Sequence, residues 1–143
     1  RKPAAEAALG VRYAAFPDLL AAADYVVLTV PLTAATRGLI GAAELGRMKP
    51  TASLINVARG AVVDLEALTA ALRAKRIHAA ALDVTDPEPL PRDHPILGLE
   101  NVIITPHLGS ASVETRTRMA AMSVENLLAG LAGRPLPHRV VAG

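Results

Sequence analysis

Four short apolar runs constrain the fold of this chain more than any other feature of its sequence. They cover residues 25–30, 52–57, 78–84 and 101–105, and each is rich in Val, Ile, Leu or Ala. Near-continuous apolar runs of this length are typical of strands in a parallel sheet, whereas half-exposed strands alternate between polar and apolar residues. Longer segments with helix signals separate the runs. The alternation predicts an α/β fold, a doubly wound parallel sheet that helices cover on both faces.

The intervening segments carry the start and stop signals of helices. Asp64 is a good N-cap for a helix over residues 65–74, with Glu66 in the first turn, where a negative charge is favourable. Apolar residues at helical spacing predict a long helix over 112–131, which Gly133 ends. Shorter helices are predicted over residues 4–9, 17–23 and 42–48, and one further short strand over residues 11–13.

Charge and cysteine content exclude several classes of function. The chain has 15 basic and 13 acidic residues and a net charge of +2, so no basic surface for nucleic acid is predicted. It has no cysteine, which excludes disulfides, cysteine-ligated zinc and thiol nucleophiles, and we predict no metal site. No apolar run approaches the roughly 20 residues that span a bilayer. We therefore expect no membrane partner and a cytoplasmic location.

Four polar residues lie at the ends of the predicted strands or after them. Arg59 could grip a carboxylate with its planar fork, and Glu88 lies in a loop that prolines stiffen. His107 is suited to proton transfer near neutral pH, and Asp83 could accept a hydrogen bond from a carboxamide. Each residue alone has a simpler explanation, as an exposed Arg, a solvated Glu, a structural His or an Asp bonded to its own loop. The other histidines, at positions 78, 94 and 138, are expected to be structural.

Taken together, these residues indicate one kind of chemistry. The carboxyl ends of parallel strands meet at one edge of a sheet, and ligands bind there in open α/β folds. An Arg at this edge can hold the carboxylate of an α-keto acid, and a His that a carboxylate orients can protonate the carbonyl oxygen as hydride reaches the carbon. This combination is typical of ketone reduction.

Three ordered motifs resemble the D-isomer-specific 2-hydroxyacid dehydrogenases. They are NVARGAVVD at 56–64, LDV at 82–84 followed by Glu88 and Pro89, and TPHLGS at 105–110. The resemblance covers nearly the whole chain and implies a Rossmann-like NAD(P)-binding domain. Within the family, residues 83–91 with His94 and Pro95 are most similar to glyoxylate/hydroxypyruvate reductases. Ala81 departs from the pattern, because the family usually has Gly there.

The resemblance also implies roles for individual residues. Arg59 would bind the substrate carboxylate and carbonyl, His107 would donate the proton, and Glu88 would pair with His107. Asp83 would contact the nicotinamide end of the cofactor. The positions that match the cofactor-binding site of the family are Pro31, Val57, Ala58, Arg59, Asp83, His107, Gly109 and Ser110.

The family's glycine-rich phosphate-binding turn and most of its substrate domain have no counterpart in this sequence. We therefore expect residues 1–111 to be the C-terminal part of the NAD(P)-binding domain, and residues 112–143 to be a helix and tail that return toward a substrate domain. Arg1 and Lys2 fall where basic residues hold a 2′-phosphate, which favours NADP over NAD. The chain alone is expected to be inactive, and the full-length protein to be a homodimer.

Alternatives within the resemblance remain. Phosphoglycerate and phosphite dehydrogenases share the superfamily, and formate dehydrogenase is less similar because it has an amide where this chain has Glu88. Non-catalytic corepressors share the fold and the triad, so fold alone does not decide function. A truncated gene product without function is a further alternative.

Overall fold

The computed structural model describes residues 2–140, and these fall into two compact units divided between Pro106 and His107. In the first unit the α-helices are α1 (Pro3–Leu9), α2 (Phe16–Ala22), α3 (Ala42–Arg47) and α4 (Leu65–Arg73). The strands are β1 (Tyr25–Leu28), β2 (Ser53–Asn56), β3 (Ala79–Leu82) and β4 (Val102–Ile104). Two 3₁₀ turns, which the sequence signals did not predict, cover Gly60–Val62 and Pro95–Gly98.

The four strands form one parallel sheet in the order β1-β2-β3-β4. Because each pair of neighbouring strands is parallel, all four carboxyl ends lie at one edge. The predicted α/β class and the parallel sheet are therefore confirmed. Every strand is shorter than its apolar run, because the last residues of each run already belong to the loops at the carboxyl edge.

One face of the sheet carries the hydrophobic core of this unit. Leu28, Leu54 and Leu82 alternate onto this face and are buried. The helices add Leu20 from α2, Leu45 from α3, and Leu68 and Leu72 from α4 to the same cluster. Burying each leucine side chain contributes about 1.5–3 kcal/mol, so this face holds the sheet and the three helices together.

The opposite face of the sheet is open over part of its area. Tyr25 is 73% exposed, Val27 is 55% exposed and Ile103 is 67% exposed. Among the described residues, the helical cover expected on this second face is therefore incomplete. Apolar runs signalled burial on both sides, but α2, α3 and α4 all pack their apolar side chains against the other face.

The strand predicted over residues 11–13 is absent from the structure. Strands need a hydrogen-bonded neighbour, and the Tyr13 amide instead donates to the Glu6 carboxylate at 3.3 Å. The predicted cap of α4 is confirmed, since Asp64 Oδ1 accepts a hydrogen bond from Ala67 N at 3.0 Å. His94 has a structural role, because its Nδ1 accepts from Ile96 N at the start of the second 3₁₀ turn.

The second unit contains the long helix α5 (Val113–Leu131), which the sequence predicted within a residue. Ser112 caps its start by accepting a hydrogen bond from Thr115 N at 3.1 Å. Asn126 holds the tail that follows α5, because its amide donates to His138 O and accepts from His138 N. The His138 ring lies 2.6 Å from Glu125 Oε2. None of the helices among residues 2–140 is long and apolar enough to cross a bilayer.

Candidate active site at the carboxyl edge of the sheet

Three backbone hydrogen bonds continue the ladder of the sheet one residue beyond the ends of β2, β3 and β4. These bonds join Val57 N to Leu28 O at 3.3 Å, Asp83 N to Asn56 O at 2.9 Å, and Thr105 N to Leu82 O at 2.9 Å. Val57, Asp83 and Thr105 therefore lie side by side along the carboxyl edge, held as firmly as the strands themselves. A site at this edge begins on rigid backbone and not on mobile loops.

A buried amide positions the backbone of Arg59. Asn56 is only 1% exposed, and its Nδ2 donates to Arg59 O at 3.0 Å while its Oδ1 accepts from Ala58 N at 3.0 Å. Both ends of the amide are thus used to fold the chain sharply after β2. The Arg59 side chain is exposed, and its Nη1 donates to Ala58 O at 2.6 Å. The guanidinium keeps further donors for a ligand, since it has five N–H groups.

Gly60 brings the Arg59 loop against the loop that carries Glu88. A Cβ atom at position 60 would fall inside 3.0 Å of the carbonyl carbon and oxygen of Thr85, so two backbones touch where no side chain fits. Thr85 is 8% exposed and orders its own loop, because its hydroxyl donates to Pro87 O at 2.8 Å. Its amide donates to Glu88 Oε2 at 3.4 Å. Arg59 and Glu88 therefore lie on two loops in direct backbone contact.

Asp83 has a partner that the sequence did not single out. The Thr105 hydroxyl donates to Asp83 Oδ1 at 2.6 Å, and both residues are half-buried. Thr105 is a polar residue directly between a strand and Pro106, and this position could have marked it in the sequence as a site residue. Gly60, Thr85 and Asn56 also fix the geometry of the edge, and nothing in the sequence except their place in the motifs marks them.

A cleft of about 520 Å³ opens at the carboxyl ends of β1 and β2. It is lined by Thr29, Val30, Pro31, Leu32, Val57, Ala58 and Arg59. The structure thus brings together the predicted positions Pro31, Val57, Ala58 and Arg59, although Ala58 is buried and offers little surface. A lining that combines apolar side chains with a few polar groups, here Thr29 and Arg59, is typical of small-molecule sites.

His107, Gly109 and Ser110 lie in the second unit. His107 has a φ of 56°, a left-handed conformation that non-glycine residues rarely adopt and that is enriched at functional sites. The next residues form a turn in which Ala111 N donates to Leu108 O at 2.9 Å, and Gly109 and Ser110 occupy its middle. The exposed His107 is thus presented on a tight turn before α5. Its pairing with Glu88 stays a prediction.

A parallel sheet with polar residues gathered at its carboxyl edge defines a Rossmann-like nucleotide-binding domain. A family model described as D-isomer specific 2-hydroxyacid dehydrogenase, NAD binding domain, matches residues 1–109. The chain belongs to this family.

Individual relatives agree with the family assignment. The chain is 52% identical over 132 residues to glyoxylate/hydroxypyruvate reductase B of Citrobacter koseri, and the match covers 92% of this chain and 41% of that protein. The crystal structure of the TT0316 protein from Thermus thermophilus matches with a TM-score of 0.88 and 52% identity, over 92% of this chain and 42% of that one.

A D-isomer specific 2-hydroxyacid dehydrogenase from Xanthobacter autotrophicus Py2, solved in complex with NADPH and MES, matches with a TM-score of 0.71 and 44% identity. The match covers 88% of this chain and 51% of that one. This chain therefore spans about two fifths of the length of the curated relatives that it matches.

Proposed function

We propose that the gene product carrying this chain is an NAD(P)-dependent oxidoreductase that reduces a small 2-keto acid to the D-2-hydroxy acid. The observation that carries the proposal is the placement of Arg59. Its backbone is fixed by Asn56, its side chain borders the cleft, and the Gly60 contact joins its loop to that of Glu88. A cation on a braced backbone, in the lining of a cleft, suits the anchoring of a substrate carboxylate.

The substrate that we propose is glyoxylate or hydroxypyruvate, which would give glycolate or D-glycerate. The names of the curated relatives support this choice, and each of those relatives shares about half of its aligned residues with this chain. Arg59 binds the carboxylate of the keto acid and polarises its carbonyl. Once the carboxylate of the keto acid is bound, its carbonyl carbon C2 faces the cleft at this edge of the sheet.

His107 is the proposed general acid. It donates a proton to the carbonyl oxygen while C2 gains a hydride, and the ring then regains a proton from solvent. Glu88 pairs with His107 and holds the ring in the orientation for transfer. A bound reduced nicotinamide supplies the hydride. Asp83 holds the nicotinamide end, and Pro31, Val57, Ala58, Gly109 and Ser110 line the site around it.

We propose NADP rather than NAD as the preferred cofactor. Lys2 is exposed at the start of α1, where a basic residue could meet a 2′-phosphate, and the relative from Xanthobacter autotrophicus Py2 binds NADPH. Arg1 lies outside the described residues. The division of the chain at residue 111, the homodimer and the cytoplasmic location stay predictions.

The test uses the complete gene product and follows the oxidation of NADPH and NADH with glyoxylate and hydroxypyruvate. We expect turnover that His107→Ala and His107→Asn lower by about a hundredfold or more, the contribution typical of a general acid. Asn tolerates a left-handed backbone, so His107→Asn separates loss of the acid from loss of the turn. His78→Ala is the matched control, because His78 is exposed at the start of β3, at the opposite edge of the sheet.

Turnover that survives both His107 variants would refute the role of His107. Tight dinucleotide binding without turnover of either keto acid would refute the reductase and favour a corepressor-like binding module, which shares the fold.

A further inference from the structure

We infer that Thr105 is the positioning residue for Asp83, and that its hydroxyl sets the affinity of the domain for the carboxamide of the nicotinamide ring. The inference rests on the proposed function and adds a residue that neither the motifs nor the family assignment gives a role. Its starting point is the 2.6 Å hydrogen bond from Thr105 Oγ1 to Asp83 Oδ1.

The sheet places these two side chains next to each other without any help from loops. Leu82 and Ile104 are register partners in the β3–β4 pair, so Asp83 and Thr105 are the next pair along. The ladder bond from Thr105 N to Leu82 O confirms that this register continues past β4. Register partners in a parallel pair project to the same face, so the two side chains meet above the same edge of the sheet.

The hydroxyl proton is what makes this contact directional. A Thr hydroxyl has one proton to donate, and an ionised carboxylate can only accept. The proton therefore goes to Asp83 Oδ1, and this bond restrains the rotation of the carboxylate. A carboxamide has an NH₂ group that needs an acceptor of fixed direction. We assign the Asp83 carboxylate to that group, and we assign to Thr105 the task of holding the carboxylate in its orientation.

Thr105→Val tests the inference, because it removes the hydroxyl and keeps the branched shape. We expect the complete gene product to bind reduced dinucleotide about tenfold more weakly, the loss expected for one hydrogen bond to a charged group. The KM for the keto acid should stay within about twofold, since Arg59 is untouched. Thr105→Ser keeps the hydroxyl and should restore affinity. Direct titration of the fluorescence of NADPH or NADH gives the dissociation constant without turnover.

A cofactor analogue separates positioning from simple structural damage. In 3-acetylpyridine dinucleotide an acetyl group replaces the carboxamide and has no N–H to donate. The wild-type protein should lose affinity for this analogue, and Thr105→Val should bind it about as well as the wild type does. Thr69→Val is the matched control, because the Thr69 hydroxyl donates to Leu65 O inside α4, within the buried core. This variant should lower thermal stability without changing dinucleotide affinity.

Equal affinity of wild type and Thr105→Val for the natural dinucleotide would overturn the inference. An equal loss on the natural and the acetyl cofactor would also overturn it, because the effect would then be structural. A protein that reduces no keto acid but shows the Thr105-dependent affinity would refute the proposed reaction and leave the role of Thr105 supported. A protein that binds no dinucleotide would overturn both.

Discussion

The contact between Gly60 and Thr85 is the feature whose loss we expect to be most damaging to the site. Gly60→Ala adds a single methyl group at the point where the Arg59 loop meets the Glu88 loop. That methyl carbon would lie more than an ångström closer to the Thr85 carbonyl than the 3.4 Å at which ordinary van der Waals contact begins. Backbone atoms cannot rotate away as a flexible side chain can, so one of the two loops must move.

The size of the effect follows from this required displacement. Overpacking of a tight contact typically costs about 1–3 kcal/mol, and misplacing a reacting group by about 1 Å can cost a hundredfold in rate. We expect Gly60→Ala to lower the Tm of the complete gene product by several degrees. We also expect a loss of about a hundredfold in kcat/KM for the keto acid, because Arg59 and Glu88 move apart.

Thermal unfolding and steady-state kinetics measure the two effects independently. Gly46→Ala is the matched control, since Gly46 lies in α3, where an added Cβ would meet nothing within 4 Å. Replacing Gly by Ala inside a helix should leave activity unchanged and stabilise the protein by about 0.5–1 kcal/mol. If Gly60→Ala and Gly46→Ala have the same Tm and the same kcat/KM, the close approach of the two loops does not hold the site together.

Three further substitutions test separate parts of the structure. Asn56→Ala removes both hydrogen bonds that brace the Arg59 turn. We therefore expect a loss of about 1–3 kcal/mol in unfolding free energy and a higher KM for the keto acid. A loss of stability with an unchanged KM would argue against the bracing role. Arg59→Lys replaces a planar fork by a point charge, and kinetics should show a KM for the keto acid at least about tenfold higher. An unchanged KM would remove Arg59 as the carboxylate anchor. Asp64→Ala deletes the cap of α4 and should lower the free energy of unfolding by about 1 kcal/mol, measured by thermal or chemical denaturation. Asp64→Ser should lower it little, because Ser is also a good N-cap. Equal stability of the two variants would contradict the capping role.

The sequence was sufficient to predict, in order, the four strands of the sheet and the five α-helices of the described residues. Strand runs and helix caps are local signals, and Asp64 and Ser112 both act as caps in the structure. The ends of the strands were less well predicted, because an apolar residue after a strand looks like one inside it. The strand at 11–13 failed because pairing is not local, and no propensity reveals whether a neighbouring strand is present.

The residues of the candidate site also divide into those that the sequence makes visible and those that only the structure reveals. Arg59, Glu88 and Asp83 are conspicuous in the sequence, because they are charged side chains at strand ends or in the loops that follow, and their roles stay predictions. Asn56 and Thr105 act on those residues through hydrogen bonds that only the register and the turn geometry create. Gly60 looked like an ordinary turn residue, and the reason for its lack of a side chain lies 25 positions further along the chain, at Thr85.

The open side of the sheet has a consequence for handling the protein. Among the described residues, β1 has a hydrogen-bonded neighbour on one side only, and Tyr25 and Val27 project from it into solvent. An edge strand with exposed apolar side chains is a template for other strands, so it favours aggregation. The isolated chain should therefore bind the dye ANS and form oligomers as its concentration rises.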